Sequence, residues 1–123
     1  MKTVNLILSI SILFCGCKEE DVRIFPTKDF LIGKWIEKDK TTYATEIEFT
    51  QNDRAFLRPM GSPKVDTLKF SLDTSTQKIC FTPITGTYPD SCRPIFYHAK
   101  LNVLCIDLYI TVGLYGGQSF VKE

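Results

Sequence analysis

From Phe30 onward, apolar and polar positions alternate with a period close to two, and no stretch reads as a long amphipathic helix. In Tyr43–Phe49, Tyr43, Ile47 and Phe49 fall on one face, whereas Glu46 and Glu48 fall on the other. Gln51-Asn52-Asp53 turns the chain into residues 54–58, a hairpin partner. Pro59-Met60-Gly61-Ser62-Pro63 breaks that strand. Residues 67–72 alternate again, with Leu68, Phe70 and Leu72 together. Asp73-Thr74-Ser75-Thr76 reads as a turn into residues 78–82, where Ile79 and Phe81 share a face. A loop over 83–94 follows, then strands at 95–100, 103–111 and 118–122, the last pair punctuated by Gly113 and Gly116-Gly117.

With residues 34–38 added, the pattern gives about eight short strands joined by short turns. That spacing predicts an all-β fold, a single small antiparallel meander barrel or sandwich, rather than an α/β one. Closure into a barrel removes the exposed edges that an open sheet leaves for aggregation. Only residues 26–32 suit a helical turn, with Thr27 as its N-cap. An eight-stranded barrel is just wide enough to be filled by side chains or to hold one small ligand.

Phe30-Leu31-Ile32-Gly33-Lys34-Trp35 resembles the Gly-x-Trp signature that opens the first strand of lipocalins and of small lipocalin-like bacterial lipoproteins. The resemblance implies a lipocalin-like barrel over 28–123, with a helical turn before the motif. It also implies a floor plugged by Gly33 and Trp35, with a basic residue from the last strand against the indole. Lys122 is the matching residue here, where the family more often has arginine. The later lipocalin motifs have no counterpart in this chain.

The N-terminal segment adds an address. Lys2 precedes an apolar run from Val4 to Phe14, too short for a bilayer-spanning helix of ~20 residues. It fits a secretory leader instead. Phe14-Cys15-Gly16-Cys17 resembles the lipobox of bacterial lipoproteins, which implies cleavage after residue 16 and lipid attachment at Cys17. Cys15 is a rival thiol, but bulky Phe14 precedes it where small Gly16 precedes Cys17. A plain secretory leader is the other reading. Residues 17–27, with Lys18-Glu19-Glu20-Asp21, read as a charged tether. The run also resembles an export signal of outer-membrane lipoproteins. The expected location is therefore the cell envelope, lipid-anchored at the outer membrane and facing either the periplasm or the exterior.

Composition narrows the partners. The chain carries 15 basic and 14 acidic side chains, and loss of Lys2 with the leader leaves the two signs equal. A neutral domain has no long-range field to recruit nucleic acid, so none is expected. Beyond Cys17 there are three thiols. Cys80 and Cys92 bracket a Pro/Gly-containing segment and are the candidate disulfide, worth ~3 kcal/mol in the loop-closure model. Cys80–Cys105 is the competing bridge, although Cys105 in Val103-Leu104-Cys105-Ile106 reads as a small buried hydrophobe.

Candidate chemistry is sparse. Glu46 and Glu48 sit ~7 Å apart on one strand face, a separation that serves glycoside hydrolysis. They alternate with interior-facing residues, so a solvated outer face is the better reading. His98, Cys105 and Asp107 could form a nucleophilic set only with an exposed, activated thiol, and the aliphatic surroundings of Cys105 argue against one. Arg54 and Arg58 share a strand face with Phe56, a pattern that suits an anion- or partner-binding strip but is more commonly scattered surface charge. Gly116-Gly117 precedes a strand, not the helix that a phosphate cradle requires. Tyr43, Phe49, Phe70, Phe81 and Phe96 are available to line or fill the barrel. We therefore expect a monomeric, non-catalytic envelope protein without metal or cofactor. It would bind a small apolar ligand, or a protein partner as an inhibitor or immunity protein does. The loops at 59–66 and 83–94 are the expected contact surfaces.

Overall fold

In the computed structural model the alternation becomes a nine-stranded antiparallel sheet that curls into a closed barrel. The structure describes residues 23–40, 42–109 and 117–123; the leader, Cys15, Cys17, Gly113 and Gly116 lie outside them. The strands are β1 (Arg23–Ile24), β2 (Gly33–Glu37), β3 (Glu46–Phe49), β4 (Arg54–Arg58), β5 (Asp66–Asp73), β6 (Lys78–Thr85), β7 (Ser91–His98), β8 (Val103–Ile106) and β9 (Gln118–Lys122). Among the described residues a short helix, α1 (Lys28–Leu31), precedes β2, and a 3-10 turn covers Pro59–Gly61.

Strands β2 to β9 pair in sequence order, and β9 returns to β2 to close the ring. This is the eight-stranded antiparallel meander that the periodicity predicted, closed as a barrel in the lipocalin-like way that the Gly-x-Trp resemblance implied. The short β1 is an addition, pairing with the last residues of β7 through Arg23↔His98 and Ile24↔Tyr97. Two strands run longer than the pattern suggested. The segment over 83–94 is not one loop: β6 runs to Thr85 and β7 begins at Ser91, leaving only residues 86–90 between them. The prolines that obscured this lie where a missing N–H is tolerated. Pro83 sits beside the register irregularity at Thr67/Leu68, and Pro94 is the last β7 partner of β6.

The strand expected from Tyr43 starts only at Glu46. Tyr43 has φ 61° and is 76% exposed, so it does not share the inner face with Ile47 and Phe49. The cause is the turn opposite: Gly61 donates its N–H to Ala44 O and lies so close that a Cβ there would come 2.9 Å from Tyr43 Cα. Met60 likewise donates its N–H to Thr45 Oγ1, clasping the turn onto the start of β3.

The inner face holds Trp35, Ile47, Phe49, Ala55, Leu57, Leu68, Phe70, Ile79, Phe81, Ile95, Leu104, Ile106 and Phe120 in one buried cluster. Phe49 and Phe70 meet edge to face at 4.9 Å. The barrel is thus filled by side chains along most of its length, as its strand number permits.

The two ends differ. At one end lie the tight turns 50–53, 74–77 and 99–102, and α1. Thr27 caps α1 by accepting Phe30 N–H. Lys28 reaches Gln51 O and Asp53 on the β3–β4 turn, while Phe30 meets Tyr97 of β7. The helix therefore crosses this closed end. At the other, open end lie residues 38–40, 42–45, 59–65, 86–90 and 107–109.

Candidate functional site

Strand parity places Trp35, Lys122, Asp66 and Arg93, and α1 and the 86–90 loop supply their neighbours. At the closed end, Trp35 lies opposite Lys122 across β2 and β9. The indole is 2% exposed and donates its N–H to Leu31 O at 2.9 Å. Lys122 Nζ lies 5.3 Å from the Trp35 ring and 5.7 Å from Phe30, and donates to Phe30 O. Gly33, with φ 131°, leaves room for this side chain: a Cβ there would sit 2.8 Å from Lys122 Cε. Gly33, Trp35 and Lys122 are brought together, and every donor among them is directed at a neighbouring carbonyl or ring. The recess at this end, about 360 Å³, lies instead between β1 and the 74–77 turn, lined by Arg23, Phe25, Thr76, Gln77 and Ile95 among others.

The open end is built otherwise. Asp66 opens β5 on the same parity as Leu68 and Phe70, so its carboxylate points inward where the apolar fill stops. One carboxylate oxygen accepts N–H bonds from Thr87 and Tyr88, at 3.2 and 2.9 Å. Gly86 permits this approach, since its φ is 96° and a Cβ would collide with the Asp66 carboxylate. The loop 86–90 is thereby drawn over the barrel. Tyr88 follows it inward, stacks edge-on against Phe81 at 5.7 Å, and donates its hydroxyl to Leu108 O at 2.6 Å.

Arg93 extends the inner parity of Ile95 and Tyr97 to this end. Its guanidinium pairs with the Asp107 carboxylate at 3.1 Å and donates Nε–H to the Asp107 carbonyl. The Arg93 charge is therefore compensated by Asp107, while the Asp66 carboxylate is held by backbone amides. Between these residues lies a cleft of about 590 Å³, lined mostly by apolar groups of Pro59, Tyr88, Pro89, Leu108 and Tyr109, with Asp66 and Arg93 at its margins. Burial pushes the Tyr88 and Tyr109 hydroxyls above their ordinary range, so both stay neutral at physiological pH. A second recess of about 390 Å³ adjoins at Tyr109 and is lined by Tyr43, Thr45 and Met60 among others. A volume of this order suits a small organic ligand.

The other residues singled out by sequence take different places. Cys80 and Cys92 are joined by a disulfide. It links directly paired positions on β6 and β7, rather than closing a flexible loop. Cys105 is a free, buried thiol beside Ser119, and burial raises its pKa. It does not join His98 and Asp107: His98 accepts Leu101 N–H at the start of the β7–β8 hairpin, and Asp107 lies past the far end of β8 on Arg93. Glu46 and Glu48 line a shallow outer recess, where Glu46 is 3.4 Å from both Lys34 and Arg58. Arg54 and Arg58 flank Phe56 on that outer face. Phe96 also faces outward, beneath Arg23 at 4.7 Å. Among the described residues no group of three or more His, Cys, Asp or Glu could hold a metal ion.

Asp66, Tyr88 and Arg93 were not singled out in the sequence. The available signal was parity: Asp66 precedes Leu68 and Phe70 by even steps, as Arg93 precedes Ile95 and Tyr97. Fold and site together define a filled antiparallel barrel with an apolar recess at its open end. Comparison of the chain with protein-family models, with curated proteins and with solved structures gives no match.

Proposed function

We propose that this chain is a non-catalytic binding protein of the cell envelope, attached to the outer membrane through lipidated Cys17. It takes a small, neutral and largely apolar ligand at the open end of its barrel. The observation that carries this reading is the 590 Å³ cleft, whose wall is apolar, with Arg93 at its margin paired to Asp107 and Asp66 engaged by two backbone amides. An anionic ligand would have to displace Asp107 from Arg93 and would meet the Asp66 carboxylate as well. A neutral apolar group would displace water from Pro59, Pro89, Leu108 and the tyrosine rings at no such cost. The Cys17 anchor rests on the Phe14-Cys15-Gly16-Cys17 pattern.

A second reading has its own support. Tyr43 and Met60 lie next to the cleft, are 76% and 56% exposed, and both have left-handed backbone. Bulky residues held in that conformation cluster at functional sites. A protein partner, as for an inhibitor or immunity protein, would use this rim.

Native mass spectrometry of the protein released from its own membranes separates the two. A co-purifying small apolar molecule is expected, and its loss in Thr87→Arg would place it in the cleft. A protein that carries no ligand, and acquires none from envelope lipid extract, would overturn the first reading. Radioactive palmitate labelling tests the anchor: the wild type should incorporate label and Cys17→Ala should not.

A further inference from the structure

Five residues, 18–22, separate the proposed lipid site at Cys17 from Arg23, where the described fold begins. Fully extended, such a stretch reaches at most ~21 Å. Arg23 pairs with His98, the last residue of β7, so the chain joins the barrel at its closed end. The eight-residue strands β5 to β7 are each ~26 Å long, so the open-end cleft lies a strand length further from the anchor.

The closed end also carries an exposed apolar patch, and only on the side where the tether joins. Leu101, in the β7–β8 turn, is 61% exposed, Ile24 is 49% and Phe30 is 39%. The last two belong to one surface: Ile24 pairs with Tyr97, whose ring contacts Phe30 at 4.8 Å. Exposed Arg23 and Lys100 border it. The other turns at this end, 50–53 and 74–77, contribute no large exposed hydrophobic residue. Apolar tips rimmed by cations suit the interfacial region of a bilayer, where the tips enter the acyl boundary and the cations meet anionic headgroups.

We propose that the closed end is a bilayer-docking face, with Leu101, Ile24 and Phe30 set into the membrane interface, so that the cleft opens away from the lipid. The patch is too small to bind membranes unaided. The anchor supplies the affinity by making the contact intramolecular, and the patch supplies the orientation. The ligand is then received from the aqueous phase or from a facing surface, not drawn from the supporting bilayer. This inference rests on the Cys17 attachment proposed above.

The test uses the full lipidated protein in vesicles of phosphatidylethanolamine and phosphatidylglycerol, with and without brominated acyl chains. Bromine quenches a tryptophan only when it lies at membrane depth. Two variants report the two ends, Leu101→Trp and Met60→Trp, each read against the buried Trp35 background of the wild type. The emission added by Leu101→Trp should be largely lost in brominated vesicles, and that added by Met60→Trp should be retained. Vesicle flotation with no loss for Leu101→Trp, or with loss for Met60→Trp, would overturn the docking face while leaving the anchor intact. Failure of the wild type to float with vesicles would overturn the anchor and the docking face with it.

Discussion

At the closed end of this barrel, α1, Trp35, Phe30 and Lys122 interlock so that each polar atom reaches a carbonyl or a ring. At the open end, Asp66 is held by backbone amides and Arg93 by Asp107, and Pro59, Tyr88, Leu108 and Tyr109 line a cleft beside them. The difference lies in what the hydrogen bonds organise. Below, they pin large rings against one another. Above, they pin a loop to the rim, and a loop held by its backbone leaves the space beneath it unfilled. The same fold thus puts stability at one end and accessibility at the other.

The contrast can be broken most strongly from below. Trp35→Ala should cost ~3–5 kcal/mol of unfolding free energy by denaturant titration, because the cavity it leaves is enclosed on all sides. An unchanged midpoint would mean that the closed end is not the stabilising one. Next in size is the disulfide. Replacing Cys80 and Cys92 by serine should cost ~2–4 kcal/mol, since the unfolded chain regains the freedom of the loop between them. Because the bridge closes the stretch that contains residues 86–90, hydrogen exchange should accelerate there before it does in β2. Uniform acceleration would contradict the division into two ends.

A smaller change sharpens the upper half. Asp66→Ala should cost ~1–3 kcal/mol by leaving the Thr87 and Tyr88 amides without an acceptor. Exchange of those two amides is the direct readout, and persistence of their protection would show that Asp66 does not hold the loop. The smallest effect is with pH. Burial raises the folded pKa values of Tyr88 and Tyr109 above the unfolded value of 10.0. Their contribution to stability is therefore complete below pH 10 and lost as pH rises through the folded values. Tyrosinate absorbance should show two late-titrating tyrosines whose ionisation coincides with loss of aromatic circular dichroism. Titration of every tyrosine at the ordinary value, with structure intact, would refute the assignment.

The barrel itself was legible because Ile47 and Phe49, Leu68 and Phe70, and Ile79 and Phe81 alternate without interruption, and one buried face is enough to set register. The site was not, for two physical reasons. Inward positions near a barrel mouth need not be apolar, so Asp66 and Arg93 broke the very pattern that identified the strands containing them. Prolines at 83 and 94 read as loop markers, although one lies at a bulge and the other where β6 pairing ends. Tyr43 failed in the opposite sense. Its parity fits the inner face, but the close approach of Gly61 turns the backbone left-handed and pushes the ring out. The Trp35–Lys122 proximity was legible through the Gly-x-Trp resemblance, not through periodicity.

The central claim is that binding belongs to the open end and stability to the closed end. The most direct measurement is a fluorescence titration with a neutral naphthylamine probe against the wild type, Thr87→Arg and Lys122→Met. Thr87 lines the cleft and is exposed, so arginine there should fill it without disturbing the buried core. The account predicts probe binding by the wild type, at least ~10-fold weaker binding by Thr87→Arg, equivalent to ~1.4 kcal/mol, and unaltered binding by Lys122→Met despite its lower stability. Full binding by Thr87→Arg, or binding lost only in Lys122→Met, would contradict it.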